Sequence, residues 1–408
     1  MNILFLSELF YPHGGGAELA TYLYAKLLSE IGVRVIVVTN KFRGEQNFTK
    51  KGNMNIYRLP LFRGSESVKY SILRRLDVLL SSFIRRLVAW ADVVYVPRFW
   101  FSAVLLAKAC KKPVVVHLHD YIPICPLANF FNVIEDTTCN KKGLMCSQKC
   151  IYAYERMNSR HSVGVAGSTL INSTFGCFYG RIISLSDVVI CVSNAQKNLL
   201  LGHGAFSPSK VHVIYNPLPE TKENNLEVPS DDFGYFGGPS YLKGFHVLYQ
   251  AVRSINSGQS KKINVHITNF SNSSMRFLDK LRRVGFIPYG RLNGKLFEEA
   301  YKQLKCILVP SIWPETFSYV TVEALLRGRL VIASDIGAIP EVTNGCEGVF
   351  LFETGNYNAL AESILHVEDL NKEKAVELGL RNSELILKKF NNEKIARSFI
   401  SLLEKVVD

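Results

Sequence analysis

The sequence predicts two doubly wound α/β domains in tandem. At 408 residues the chain is too long for one ordinary hydrophobic core, so two domains are the default expectation. Short β-branched strands alternate with helical stretches in both halves, which is typical of parallel sheets covered on both faces. A polar interval with three prolines, at residues 216–232, separates the halves and has the composition of a linker.

The first half supplies the strands of one predicted sheet. Each predicted strand is a short apolar run rich in β-branched residues, and helical stretches separate the runs. In chain order these strands are NILFLS at 2–7, VRVIVVTN at 33–40, DVVYV at 92–96, PVVVHLH at 113–119, DVVICVS at 187–193 and KVHVIYN at 210–216.

The second half repeats the pattern and ends in a helix. Its predicted strands are FGYFGG at 233–238, NVHITNF at 264–270, CILVPS at 306–311, LVIASD at 330–335 and VFLF at 349–352. The last stretch, at 391–408, has helical apolar spacing and a charged side. We therefore expect domains over residues 1–217 and 218–390, then a C-terminal helix over 391–408. Two such domains would bind a ligand between the carboxyl ends of their sheets.

The composition is that of a globular protein with an anionic partner. Hydrophobic residues make up 48% of the chain and charged residues 20%, and no apolar run approaches the roughly 20 residues that span a bilayer. A strand stands where a signal peptide would need a basic region, so a cytoplasmic protein is expected. The formal net charge is +13. No nucleic-acid-binding motif accompanies this charge, which favours an anionic membrane surface over nucleic acid.

Residues 68–90 predict one amphipathic helix. Seven apolar residues fall on one face of it: Ile72, Leu76, Leu79, Leu80, Phe83, Leu87 and Trp90. Four arginines fall on the opposite side: Arg74, Arg75, Arg85 and Arg86. Such a helix can lie on anionic lipid, where each basic side chain contributes about 1 kcal/mol. It can equally be a helix that packs on the core and has a basic outer side. Both interpretations remain open.

A glycine loop, YPHGGGAELA at 11–20, follows the first strand. A dinucleotide fingerprint would need a third glycine where Leu19 stands and an acidic residue after the next strand, which ends in Thr39 and Asn40. A nicotinamide or flavin site is therefore not expected. The loop can still bring backbone amides at a helix start to another anion, or it can be a tight turn without a ligand.

A second phosphate motif lies in the C-terminal half. Glu315 and Glu323 are separated by seven residues in PETFSYVTVEALLRG. They follow the strand CILVPS, and the segment leads into a helix whose N-terminus can receive a diphosphate. A further strand, turn and glycine loop follow in LVIASDIGAIPEV at 330–342.

These motifs together resemble the retaining glycosyltransferases of family 4, which have the GT-B fold. Those sequences carry two glutamates separated by seven residues and then an ASD-x-G-x-IPE segment, here ASDIGAIPE at 333–341. The resemblance runs from GGGAE at 14–18 to GNYNALAESI at 355–364, almost the whole chain. It implies two Rossmann-like domains facing each other across a cleft, with the C-terminal helix returning to the N-terminal domain.

The resemblance assigns the donor site residue by residue. Glu323 matches the glutamate that binds the ribose hydroxyls of a nucleotide sugar, and Glu315 matches the one near the donor sugar. Phe317, Ser318 and Tyr319 match the loop whose backbone amides approach the diphosphate. A glycine is common where Ser318 stands, so this residue departs from the pattern.

Further matches come from the N-terminal half and the start of the second domain. Gly15 and Gly16 match the loop that packs against the donor phosphate, and His119 matches a histidine that faces the donor sugar. Lys243 matches the lysine of the phosphate clamp.

The arginine of that clamp is missing. Gly238 or Pro239 takes its place, about five residues before Lys243 and Gly244. A lysine alone neutralises one charge but gives no bidentate grip on phosphate. Either another residue such as Arg291 substitutes, or the donor binds more weakly than is usual in the family.

Four of the nine cysteines crowd one loop: Cys125, Cys139, Cys146 and Cys150. Four thiolates could hold zinc or iron, although the paired CxxC of common zinc sites is missing. Buried, unreactive cysteines are the alternative, and a cytoplasmic location argues against disulfides. Some sequences of the family carry a similar cluster, which implies a loop on the acceptor side stiffened by metal or by thiol contacts.

The expected function is transfer of a sugar from a nucleoside-diphosphate sugar, with retention and without a catalytic cofactor. The acceptor is expected to be a lipid-linked or surface glycan, at the cytoplasmic face of the cell membrane. Two alternatives remain: an enzyme with a soluble small-molecule acceptor, and an inactive relative that only binds nucleotide sugars.

Overall fold

The computed structural model describes residues 1–63, 77–140, 144–158, 162–220, 230–258, 262–270, 273–292 and 295–407. The chain divides into two compact units. The first unit comprises residues 1–217 together with 391–408, and the second comprises residues 218–390. The predicted linker at 216–232 falls at the first of these crossings, although its residues 221–229 lie outside the described ranges.

The first unit is built on a mostly parallel sheet. In its described part, eight strands run in the order β10-β9-β6-β5-β1-β2-β4-β3, and β3 pairs antiparallel with β4. A separate hairpin, β7–β8, follows β6. The strands are β1 Asn2–Ser7, β2 Arg34–Lys41, β3 Phe48–Lys51, β4 Met54–Arg63, β5 Val93–Arg98, β6 Val114–Leu118, β7 Phe131–Asn132, β8 Thr137–Thr138, β9 Val188–Cys191 and β10 Val211–Val213.

The helices of the first unit include the last one in the chain. They are α1 Gly16–Glu30, α2 Asp77–Leu80, α3 Ser82–Trp90, α4 Ala103–Ala109, α5 Leu144–Asn158, α6 Ser162–Ser184, α7 Asn194–Gly202 and, after the second unit, α15 Asn392–Val407. The final helix α15 packs on α1, and its Phe399 lies in the core against Tyr24 and Tyr95. The C-terminal helix therefore returns to the first unit.

The second unit has a parallel sheet. Its described strands are ordered β13-β12-β11-β14-β15-β16. They are β11 Phe233–Tyr235, β12 Val265–Ile267, β13 Phe286–Pro288, β14 Cys306–Val309, β15 Leu330–Ser334 and β16 Val349–Phe352. Its helices are α8 Phe245–Gly258, α9 Met275–Val284, α10 Lys295–Lys302, α11 Tyr319–Leu326, α12 Ile339–Thr343, α13 Tyr357–Asp369 and α14 Lys372–Lys389.

The predicted α/β class is confirmed, and each predicted strand is present. The central strands are fully buried, as in VVVHL of β6 and LVIAS of β15, because helices cover both faces of the sheets. The sequence pattern missed β3, β4, β7, β8 and β13. These strands are short, or carry charged residues and proline, so they lack the continuous apolar run that marks a buried strand.

The single amphipathic helix predicted over 68–90 was wrong for its described part. Residues 64–76 lie outside the described ranges, and the rest forms two helices, α2 and α3, with a break at Ser81. The Ser81 hydroxyl accepts a hydrogen bond from the Ile84 amide at 3.3 Å. Serine is a favoured N-cap because its side chain satisfies an amide that the helix leaves open, so a new helix starts there.

The buried side of these helices also differs from the predicted apolar face. Val78, Ile84 and Val88 are buried, whereas Leu80 is 86% exposed. The helix α3 contacts α4 and β1. This is the packing of a core helix whose basic outer side carries Arg85 and Arg86, both exposed. Within the described ranges, no helix has both the length and the apolar character needed to cross a bilayer.

Candidate active site

In the second unit, Lys243 and Glu315 form an ion pair. The Lys243 Nζ atom lies 2.6 Å from Glu315 Oε1, and the Ser311 hydroxyl donates to the same oxygen at 2.7 Å. The Lys243 ammonium also lies 5.3 Å from the ring centre of Trp313. The Glu315 side chain is only 5% exposed, whereas that of Lys243 is 37% exposed. A buried carboxylate therefore holds a reachable cation at the carboxyl end of β14.

Two glycines allow the backbone segments around Lys243 and Glu315 to pack closely against each other. Gly244 has a φ of 72°, and a Cβ atom there would lie 1.6 Å from the Pro310 carbonyl oxygen. Gly337 has a φ of 58°, and its Cβ would lie 2.5 Å from the backbone of Glu315. Any side chain at either position would push the loops apart. The two glycines thus fix the backbone around Lys243 and Glu315.

The loop between the two glutamates leads into α11. Phe317 is buried against Phe390 and Tyr319, with ring centres 5.4 and 5.3 Å apart. Ser318 stands at the N-cap position with a φ of 62°, and its hydroxyl bonds the Thr321 hydroxyl at 2.8 Å instead of a helix amide. This left-handed conformation strains most side chains, which explains why glycine suits the position. The helix begins at Tyr319, so its N-terminus follows this loop directly.

Glu323 lies on α11 with an arginine that sequence analysis missed. The Arg327 guanidinium makes a two-pronged contact with Glu298, at 2.9 and 2.7 Å, and its Nη1 donates to the Glu323 carbonyl oxygen at 3.0 Å. Burial raises the pKa of the Glu323 carboxyl to about 7, with Arg327 opposing the rise and Glu298 adding to it. Near neutral pH this carboxyl is therefore divided between its two protonation states.

The described contacts of the Lys243 ammonium include Glu315 and the Trp313 ring, and substitution of Arg291 for the missing clamp arginine stays a prediction. Arg291 is exposed in the loop after β13. Arg327 lies instead beside Glu323, where it is already committed to Glu298. Among these described contacts, the cation held against Glu315 is the ammonium of Lys243.

In the first unit, the glycine loop binds an internal carboxylate. The Gly15 amide donates to Glu18 Oε2 at 2.7 Å, and Glu18 Oε1 accepts from Arg98 at 2.7 Å. The Gly15 amide is thus bonded within the loop itself, and binding of a donor phosphate at Gly15 and Gly16 stays a prediction. Glu18 stands three residues after the N-cap, the position from which a glutamate reaches back to the cap amide, and GGGAE already contains this signal. Gly16 begins α1.

His119 follows β6 at the carboxyl edge of the first sheet. Its ring stacks on that of His117 with centres 4.6 Å apart, and His117 Nδ1 lies 2.7 Å from the Tyr95 hydroxyl. Burial, helped by the positive charge of Arg98, lowers the pKa of His119 to about 3. The imidazole is therefore neutral at physiological pH: one ring nitrogen can donate to a hydroxyl and the other can accept from one, but the ring lacks the second proton of an imidazolium acid.

Three of the four loop cysteines gather around the β7 strand. The Cys125 sulfur lies 3.8 Å from Asn129 Oδ1, and the Cys150 sulfur lies 3.6 Å from the Phe131 carbonyl oxygen. The amide of Cys139 donates to the Phe130 carbonyl at 3.0 Å. Burial raises the pKa of the Cys125 thiol to about 11, and the neighbouring Cys139 and Cys150 add to the rise.

The fourth cysteine, Cys146, has a side chain outside the described part. Among the described residues, no three His, Cys, Asp or Glu side chains are placed to hold a metal ion. The predicted zinc or iron site at Cys125, Cys139, Cys146 and Cys150 stays a prediction.

Comparison with known proteins identifies the family. The model of Glycosyltransferase Family 4 matches residues 14–222, about half of the chain, and that of Glycosyl transferases group 1 matches residues 230–369. The chain belongs to glycosyltransferase family 4. It is an enzyme family, and the site described above lies within the two matched ranges.

Relatives of this family-4 chain include proteins from distant organisms. It is 23% identical over 377 residues to an uncharacterized 42.6 kDa protein in the cps region of Klebsiella pneumoniae, covering 86% of this chain and 90% of that protein. It is 21% identical over 358 residues to a subunit of the phosphatidylinositol N-acetylglucosaminyltransferase of Arabidopsis thaliana, covering 84% and 69%.

Solved structures show that the family-4 chain has the GT-B fold. Sucrose-phosphate synthase from Thermosynechococcus elongatus matches with a TM-score of 0.70 and 15% identity, over 100% of this chain and 99% of that one. HepE from Anabaena, in complex with UDP, matches with a TM-score of 0.66 and 18% identity, over 99% and 100%.

The predicted site residues fall into three groups in this family-4 glycosyltransferase. Lys243 contacts Glu315 directly, and Glu323 follows on the helix that their loop begins. In the N-terminal group, Gly15 is linked to Arg98 through the Glu18 carboxylate, and the positive charge of Arg98 acts on His119. The cysteines form a third cluster by the β7–β8 hairpin.

Proposed function

We propose that this protein transfers a sugar, with retention at the anomeric carbon, from a nucleoside-diphosphate sugar to a lipid-linked or surface glycan. The observation that carries the proposal is the Lys243–Glu315 pair beside the start of α11. A lysine and helix amides at one place suit the two phosphates of a nucleotide sugar. The Glu315 carboxylate beside them can accept hydrogen bonds from the hydroxyls of the donor sugar.

Each donor residue has a distinct role in this proposal. Lys243 leaves Glu315 to neutralise the diphosphate, and the amides of the Phe317–Tyr319 loop bind phosphate oxygens. Glu315, once released, accepts hydrogen bonds from the sugar. Glu323 accepts from the ribose hydroxyls. HepE has been solved with UDP and with UDP-glucose, so a uridine donor is the first to test.

The proposed reaction is a front-face substitution. The acceptor hydroxyl oxygen bonds to the anomeric carbon as the bond from that carbon to the diphosphate oxygen breaks, and the acceptor proton passes to the departing oxygen. The buried Glu315 carboxylate accepts a hydrogen bond from Ser311, which suits charge stabilisation better than attack on carbon. Lys243 and the α11 amides would stabilise the charge that develops on the diphosphate. The neutral His119 would bind a sugar hydroxyl.

Catalysis in this scheme needs no metal ion, and any zinc or iron at the cysteine loop has a structural role. We expect treatment with EDTA to leave turnover unchanged, provided that the chelator does not remove a structural ion from the cysteine loop.

A metal ion in the cysteine loop is a separate prediction. Metal analysis of the purified protein should give about one zinc or iron per chain, because four thiolates bind one ion. The Cys146→Ser variant should lose that ion. Metal-free protein that is fully active and stable would leave only the packing role.

A lipid-linked acceptor is supported by the charge of the chain and by one relative. The formal net charge of +13 favours an anionic surface. The Arabidopsis relative is named for transfer to phosphatidylinositol. Transfer to a soluble acceptor is the second candidate, since sucrose-phosphate synthase shares the fold. The missing clamp arginine keeps a third candidate, an inactive relative that binds nucleotide sugars.

The deciding experiment measures nucleoside diphosphate release. Purified protein is incubated with UDP-, GDP- and ADP-sugars, with and without a lipid extract or small sugar acceptors, and NMR of the product reports the anomeric configuration. Release that depends on lipid extract and gives the donor's configuration supports the proposal. Release that depends only on a soluble acceptor favours the second candidate. Donor binding without any release would favour the inactive relative.

A further inference from the structure

Three exposed apolar side chains, together called the apolar stripe below, fall on one side of α6 among its described side chains. Leu170 is 66% exposed, Phe178 is 52% exposed, and Leu185, the first residue after the helix, is 51% exposed. At 3.6 residues per turn these three side chains fall within about 80° of one another around the helix axis. The opposite side of the helix is buried: Val165, Tyr179, Ile182 and Ile183. An apolar stripe in contact with water indicates a binding surface.

The charges around this stripe are almost all positive. Arg181 is exposed within the stripe, and the neighbouring helix α5, which packs along α6, exposes Lys149 and Arg156. Among the described residues of the two helices, the basic residues are Lys149, Arg156 and Arg181, and the acidic residue is Glu155. Glu155 is only 4% exposed. The described outer surface of the α5–α6 hairpin is therefore apolar and cationic.

We propose that the α5–α6 hairpin is the surface by which this protein lies on a membrane rich in anionic phospholipid. The apolar stripe enters the boundary between headgroups and acyl chains, and the basic residues contact lipid phosphates, as in interfacial helices. A second copy of the chain fits this surface less well. Two-fold pairing would place the basic set Arg181, Arg156 and Lys149 of one copy against the same basic set of the other, and like charges oppose such contacts.

This surface replaces the one expected from residues 68–90, whose described part packs on the core. The inference rests on the proposed function only for its purpose, because an enzyme acting on a lipid-linked acceptor must reach the membrane. Vesicle binding itself needs neither donor nor acceptor. A parent protein that binds vesicles but has no transferase activity would contradict the proposed function alone. A parent protein that has transferase activity but does not bind vesicles would contradict this inference alone.

The test is sedimentation of the full chain with vesicles. Phosphatidylcholine vesicles are compared with vesicles that also contain phosphatidylglycerol. We expect the triple variant Leu170→Gln, Phe178→Gln and Leu185→Gln to bind anionic vesicles at least about tenfold more weakly, because each apolar side chain loses its burial in the interface. The charge variant Lys149→Gln, Arg156→Gln and Arg181→Gln should lose at least about tenfold on anionic vesicles only, and salt should remove its difference from the parent.

Matched controls are taken from the other helices of the first unit. Leu80→Gln on α2 removes an even more exposed leucine, and Arg85→Gln with Arg86→Gln removes two exposed arginines from α3. These controls should bind vesicles as the parent does. Thermal unfolding and nucleoside diphosphate binding confirm that each variant is folded.

Several outcomes overturn the inference. A parent protein that does not sediment with anionic vesicles, a stripe variant that binds like the parent, or a control that loses as much binding as the stripe variant would each refute it. So would a concentration-dependent dimer that the stripe variant abolishes, because the stripe would then be an interface between copies.

Discussion

Lys243 has two partners to choose from, the Glu315 carboxylate that it contacts at 2.6 Å and the diphosphate that we propose as its ligand. A lysine on a flexible stem can move from one to the other. Glu315 therefore holds Lys243 in place, but its carboxylate also competes with the donor diphosphate for the Lys243 ammonium.

The Glu315→Gln variant tests this competition. Removal of the carboxylate charge should free Lys243, so UDP should bind about fivefold more tightly, a gain of roughly 1 kcal/mol. Turnover should fall, because the charge that meets the sugar in the transition state is gone. Calorimetry with UDP and steady-state kinetics measure the two effects. Glu347→Gln, which removes a surface carboxylate paired with Arg381 in the same unit, is the control and should change neither. Weaker UDP binding in Glu315→Gln would contradict the competition.

Glu323 gives a pH-dependent prediction. Its pKa is raised to about 7, and the ionised form accepts hydrogen bonds from both ribose hydroxyls, so affinity for UDP-glucose should rise as pH increases through 7. UDP-glucose is the suitable ligand because its diphosphate does not titrate near this pH. Titration calorimetry from pH 5.5 to 8.5, a range of roughly three units around that pKa, measures the effect. Glu323→Gln should bind more weakly and without this pH dependence; an unchanged profile would refute the assignment.

The same shift affects stability. The folded protein holds a proton on Glu323 that the unfolded chain has already released between its usual pKa of 4.5 and about 7. The contribution of Glu323 to the free energy of unfolding therefore falls as pH rises through this window.

Motif spacing predicted the separate site residues but not their partners. Glu315, Glu323 and Lys243 could each be read from the sequence, yet 72 positions separate Lys243 from the carboxylate it contacts. Only the folded sheet brings them together. Arg327 stands one helical turn after Glu323 and could have been noticed, but its partner Glu298 lies on another helix, α10. A pairing across elements leaves no local signal.

Phe399 shows how much one element adds to the first unit. This side chain of α15 is fully buried and lies against Tyr24, Tyr95 and His117, with ring centres 4.8, 5.2 and 6.4 Å away. We expect Phe399→Ala to lower the free energy of unfolding by about 3–5 kcal/mol, because it leaves a cavity among aromatic rings. Urea unfolding measures this cost. On the same helix, Val407→Ala changes a 40% exposed side chain and should cost less than about 0.5 kcal/mol. Equal costs for the two variants would contradict the packing role.

The elements most readily predicted were those with an uninterrupted apolar run. Strands β6 and β15 are buried on both faces, and their sequences show it. The helix over 68–90 failed for a local reason: its apolar periodicity continues through Ser81, but the serine hydroxyl offers the chain a cap, and the helix restarts there. Hydrophobic period alone does not detect such a competition between a side chain and the backbone.

At the scale of the whole molecule, two units with separate cores should unfold in separable steps. Calorimetric scans of the parent should show two transitions. UDP at about 100 times its dissociation constant should stabilise the second unit by roughly 2.7 kcal/mol, because the proposed donor residues Lys243, Glu315 and Glu323 belong to it. Phe399→Ala should lower the other transition. A single transition that both changes move equally would contradict separate unfolding.

Residues 391–408 belong to the first unit, so the ribosome synthesises the last helix of that unit only after the whole second unit. Strands β1 to β10 emerge first, but Tyr24 and Tyr95 must wait for Phe399 until the whole second unit has been synthesised. At about 5–20 residues per second, that delay lasts roughly ten seconds or more. During this delay we expect the nascent first unit to expose the aromatic rings that Phe399 covers in the folded protein. A chain that ended just before α15 would contain all of the second unit, but its first unit would lack α15 and the Phe399 side chain.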